Sequence, residues 1–120
     1  MLRSNLLDAS RPHVETDLGA PVEFVVLDMR VSGDAAFAQV TAQRPGGVEI
    51  DLSETPLVVR DGVPEGMIDG TRTEAFYLRS GAQWVVLHHA IGATDVWYAD
   101  TAFCEEWSKV IPTQSLCDGS

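Results

Sequence analysis

The stretch Trp84-Val85-Val86-Leu87-His88-His89-Ala90-Ile91-Gly92-Ala93-Thr94-Asp95-Val96-Trp97 sets the tightest limit on what this chain can fold into. A run of β-branched and aromatic residues ends at a glycine, and the Thr-Asp pair that follows suits a helix N-terminus. The spacing therefore predicts a strand over 83–91, a turn at Gly92, and a helix capped by Thr94 or Asp95 that runs to about Lys109. Val96, Trp97, Phe103 and Trp107 would be the large apolar residues of that helix.

Upstream, Thr71–Arg79 makes a second strand, joined to the first through Ser80-Gly81-Ala82 as a hairpin. A similar pair precedes it. Val22–Val31 is apolar on both faces, as a central strand would be, and Ser32-Gly33 offers a tight turn into Ala35–Gln43. On that strand Ala36, Ala38, Val40 and Ala42 form a row of small residues that would let a helix approach closely. Arg44-Pro45-Gly46-Gly47 is a turn, and Val48–Leu52 alternates as a short strand. The segment 53–70 is rich in Gly and Pro. It should be a mobile loop around a short strand at Leu57-Val58-Val59.

The first element should be helical from about Arg3 to Leu18, stopped by Gly19 and Pro21. Leu7, Val14 and Leu18 give a partial apolar stripe. Pro12 is comfortable only in a first helical turn, so one bent helix and a short turn followed by a helix fit equally well. Helix, two strands, an irregular middle, two strands and helix make a single α+β domain over 1–120. It would hold a curved antiparallel sheet of four to five strands with an N-terminal and a C-terminal helix. A cystatin-like or nuclear-transport-factor-like cone is the topology this order suggests.

The chain has 120 residues, of which 45% are hydrophobic, enough for one core. Its apolar runs are too short to span a membrane. Eighteen acidic residues against eight basic ones give a formal charge of −10. That field repels nucleic-acid phosphate and anionic lipid, keeps the protein soluble, and would speed encounter with a basic protein. The first residues lack the basic and apolar regions of a signal peptide, although a mature exported form given a start methionine would look the same. The two cysteines, Cys104 and Cys117, suit a disulfide pinning the C-terminus, with one buried and one exposed thiol as the alternative.

Chemistry is harder to place. His88 and His89 are neighbours on a strand and point to opposite faces, so they cannot share one metal ion. A base would need a second polar group. Asp95 is the nearest, and its ordinary role is to cap a helix. Cys104 falls within the expected helix, and no G-x-S-x-G elbow occurs. Asp28, Glu74 and Asp100 are candidate paired carboxylates, with Arg30, Arg72 and Arg79 as salt-bridge partners across neighbouring strands. Arg44-Pro45-Gly46-Gly47 lacks the lysine and hydroxyl of a phosphate loop. Trp84, Trp97, Tyr98 and Trp107 should pack together, as core or as the wall of a pocket. No catalytic residue, metal site or cofactor is expected, and His88, His89, Asp95, Trp84 and Trp97 are the candidate ligand-binding residues.

Several segments together carry a resemblance. They are Val31-Ser32-Gly33-Asp34 leading into Ala36-Phe37-Ala38, Gln43-Arg44-Pro45-Gly46-Gly47, Trp84-Val85-Val86, and His89-Ala90-Ile91-Gly92-Ala93-Thr94-Asp95-Val96. Over Asp8–Cys104 the chain resembles small exported proteins of Gram-negative bacteria with no assigned activity. The resemblance implies a periplasmic or secreted setting, against a cytoplasmic alternative, and supplies no catalytic residues. That group carries a tryptophan where this chain has Ala35, which implies a smaller core or an open pocket there. The expected function is a non-enzymatic binding module, of inhibitor or immunity type, for a basic protein partner. The alternative is a small-molecule-binding cone or weak hydrolase that uses His88 or His89 with Asp95.

Overall fold

Two glycine hairpins organise the chain. A computed structural model describes residues 2–103 and 107–111. Helix α1 (Leu2–Leu18) leads into β1 (Glu23–Ser32) and β2 (Ala35–Gln43), and a short helix α2 (Pro56–Val59) lies in the middle. Then come β3 (Arg72–Ser80) and β4 (Gln83–Ile91). The strands form one antiparallel four-stranded sheet in the order β1-β2-β3-β4, so the protein is α+β. The sheet is open, with β1 and β4 as its two edges, and gives no support to a cone. The expectation of a central first strand is thereby corrected, and Val25, Leu27 and Val31 on that strand are exposed. Leu27 on β1 and Leu87 on β4 have no partner across the ladder, because the register slips at each of them.

The alanine row does what small side chains allow. Ala36 and Ala38 of β2, with Ala75 and Tyr77 of β3, pack against Leu6 of α1. The helix runs unbroken through Pro12, and its buried residues are Leu6, Ser10, Val14 and Leu18, a four-residue spacing that takes Leu6 in place of Leu7. Ser10 donates to Leu6 O at 3.2 Å and shares a hydrogen bond with the Tyr77 hydroxyl across the interface. The helix stops at Gly19, whose φ of +83° suits a residue without a side chain and whose N–H reaches Glu15 O at 2.9 Å.

Val14, Leu18, Val22, Ala42 and Ile50 extend this layer. Arg44, expected only as part of a turn, closes the corner. Its Nη2 donates to Leu18 O at 2.8 Å, and its Nη1 donates to Gly19 O at 2.6 Å and Pro21 O at 3.1 Å. A guanidinium thus satisfies carbonyls that the helix end leaves without partners.

Two middle elements differ from expectation. Only Val48 pairs with Arg44, so 48–52 is not a strand. Leu57-Val58-Val59 belongs to α2, because Pro56 sits at the first helical position, where its missing N–H costs nothing. The opposite face of the sheet is covered by the residues after β4, where Tyr98, Trp107, Val110 and Ile111 pack on Phe37 and Phe76. Over 94–103 the expected continuous helix is replaced by two 3₁₀ turns, Trp97–Ala99 and Thr101–Phe103, and the first of them is capped by Val96, not by Thr94 or Asp95. Trp97, Tyr98 and Phe103 all pack on Phe37 or Phe76, whereas one helix, turning about 100° per residue, would point the three in different directions.

Candidate functional site

Glu74 lies at the middle of the face covered by the C-terminal turns. It is a central-strand carboxylate with 1% of its surface exposed, and it keeps its place by hydrogen bonding. Arg72 Nε donates to Oε2 at 2.8 Å, Gln39 Nε2 donates to the same oxygen at 2.9 Å, and Trp97 Nε1 donates to Oε1 at 3.1 Å. Tyr98 is buried beside this group, and burial followed by the Glu74 charge raises its phenol above the ordinary value. A carboxylate held by donors on both oxygens is fixed in place with few lone pairs left for substrate.

The other candidate acids are occupied differently. Asp28 pairs with Arg30 on its own strand at 3.2 Å, and Asp34 faces Arg79 at 3.9 Å. Asp100 accepts from Ala102 N at 2.9 Å. Arg72 and Arg30 thus pair along a strand, two positions away, instead of across the sheet as expected.

His88 and His89 separate as strand alternation requires. The ring of His88 meets Phe103 at 5.1 Å and Trp107 at 5.2 Å on the C-terminal side. That of His89 meets His13 of α1 at 5.2 Å on the helix side. Partial burial, then the charge of His13, lowers the His89 pKa, against an opposing pull from Asp17. Asp95 is exposed beyond β4, and among the described residues no hydrogen bond or ion pair links it to either histidine.

The tryptophans divide in the same way. Trp97 joins Phe76 at 5.6 Å and Phe103 at 5.5 Å, so it shares a cluster with His88. Trp84 packs instead beside Leu6 and Ala9, where it lines an open groove of about 280 Å³ with Asn5, Asp8, Ala9, Ala82 and Gln83. The five candidate ligand-binding residues therefore do not form one site. Cys104 and Cys117 lie outside the described residues.

A larger groove, of about 350 Å³, opens between Glu49-Ile50-Asp51-Leu52 and Glu65. Its base is Ile50, which is anchored in the core at 4% exposure. Asp51 Oδ1 accepts from Ser53 N at 3.0 Å and so holds the turn that follows. Among the described residues neither Glu49 nor Glu65 has an ion-pair partner. Val48 and Met67, close by in the chain, are 60% and 69% exposed. Sequence reasoning passed over this groove. Its signal is the alternation of acid and aliphatic residues over 49–52, which also fits the short strand expected there.

Among the described residues no helix is long and apolar enough to cross a membrane, and no three His, Cys, Asp or Glu side chains converge as a cation site. The chain matches no known protein-family model, no curated protein and no solved structure.

Proposed function

We propose that the chain is a non-enzymatic, exported binding domain of inhibitor or immunity type, which takes a basic protein partner at the groove between Glu49 and Glu65. The observation that carries this reading is the meeting, in one open depression, of aliphatic residues on a buried base with carboxylates that have no ion-pair partner among the described residues. A basic loop with an apolar tip is the complement of such a surface. The charge of −10 would steer it there, and desolvated apolar contact would hold it. The alternative hydrolase draws no comparable support, since among the described residues no hydrogen bond or ion pair joins Asp95 to His88 or to His89. Export rests on the resemblance described above and on the cysteine pair.

The purified protein should retain a basic protein from an envelope extract at low salt and release it at high salt. The double variant Glu49→Gln/Glu65→Gln should retain much less. Equal retention by the variant would place the contact elsewhere, and an empty low-salt eluate would end the binding-module reading.

A further inference from the structure

We propose that His13 and His89 form a two-histidine site for a borderline transition-metal cation, Zn²⁺ or Cu²⁺, which bridges α1 and β4. The site lies on the helix side of the sheet and does not depend on the acidic groove.

His13 comes from the fourth turn of a helix and His89 from an edge strand, yet their ring centres lie 5.2 Å apart at an interplanar angle of 51°. Two imidazoles that share a tetrahedral zinc at Zn–N distances of about 2.0–2.1 Å have ring centres about 5 Å apart. The helix and strand therefore already hold the rings at the separation that a shared ion needs. Both residues keep solvent-exposed surface, His89 with its ring partly buried, so an ion can reach them without opening the core. Beneath them, Ser10, Val14, Thr73, Ala75 and Val86 close a crevice with no room for a water molecule, which gives the two rings a firm floor.

One carboxylate stands near the two rings. Asp17 lies one helical turn beyond His13, and its charge reaches His89. Its Oδ1 already faces Arg60 Nη2 at 3.5 Å, so the remaining coordination positions fall to water. Two nitrogen ligands with open positions bind more weakly than closed four-ligand structural sites. They also select imidazole-seeking metals over Mg²⁺, with Cu²⁺ above Zn²⁺. His88 takes no part, because it lies among Phe103 and Trp107 on the other face.

The test is thermal melting and titration calorimetry of the untagged protein with Zn²⁺ alone, Cu²⁺ alone and Mg²⁺ alone. The melting midpoint should rise with the logarithm of Zn²⁺ concentration, rise further with Cu²⁺, and stay unchanged with Mg²⁺. His13→Gln and His89→Gln should each weaken Zn²⁺ binding by more than about tenfold. His13→Gln changes an exposed helical position and keeps the fold, so its isotherm is informative even if His89→Gln is destabilised. A midpoint that ignores Zn²⁺ would overturn the site. So would Zn²⁺ uptake equal in wild type and His13→Gln, which would assign the ion to other ligands such as the cysteine thiols.

Discussion

Arg72 and Glu74 stand two positions apart on β3, and Arg72 Nε donates to Glu74 Oε2 at 2.8 Å although only the arginine reaches solvent. The pair is half in water and half in the sheet core. Its arginine end is screened, while its carboxylate end depends wholly on protein donors. Removing the carboxylate charge should therefore cost more than a surface ion pair is worth. Glu74→Gln sets an amide against donors that expect an acceptor, and we expect a loss of about 2–4 kcal/mol in urea unfolding. A loss within the range of exposed pairs would show that the donors find other partners.

Arg44 should be equally specific. Arg44→Ala leaves the carbonyls of Leu18, Gly19 and Pro21 without their donor, and a loss of about 1–3 kcal/mol is expected. Arg44→Lys should restore only part of it, since an ammonium cannot span the same fork. Denaturant midpoints of the two variants check this.

Gly92 has φ of +65°, and a Cβ there would lie 2.5 Å from Ile68 Cγ2 and 2.9 Å from Gly70 O. The second contact is backbone and cannot swing away. Gly92→Val should destabilise by about 2–4 kcal/mol, from strain and overpacking together, with the loss read from the melting midpoint. A variant as stable as wild type would contradict the placement of the 68–70 segment against this turn.

Alkaline pH should weaken the fold through Tyr77. Burial raises its phenol above the ordinary value, and the hydrogen bond to Ser10 only partly offsets this. Below the unfolded-state value of about 10 both states hold the proton, and stability is complete. Above it the unfolded chain releases the proton first, so stability falls as pH rises through the folded value. Tyr98 adds to the same trend. Urea midpoints measured across this range should slope less steeply in Tyr77→Phe, and an unchanged slope would remove Tyr77 as a cause.

The hairpins at Ser32-Gly33 and Ser80-Gly81-Ala82, the alanine row and the turn at Gly92 were legible because each depends on residues adjacent in sequence. The misread parts depend on distant partners. Val22–Val31 looks central because it is apolar on both faces, but only the ladder order shows that it is an edge. Arg44 acts on carbonyls more than twenty positions earlier. Trp97 and Phe103 are placed by packing against the Phe76 ring instead of by a helical period. Glu74 did leave a trace, as a lone acid set before Ala75-Phe76-Tyr77 in a strand. Its burial became visible only once that strand was interior to the sheet. The pairing of His13 with His89 had no local signal at all.

The unpaired Leu27 and Leu87 occupy matching places on the two outermost strands. A strand that bulges in mid-course cannot offer a long straight row of free N–H and C=O groups to a newcomer. A bulge in each rim disfavours extension of the sheet by a further strand. An open sheet can in this way interrupt both of its edges without closing into a barrel.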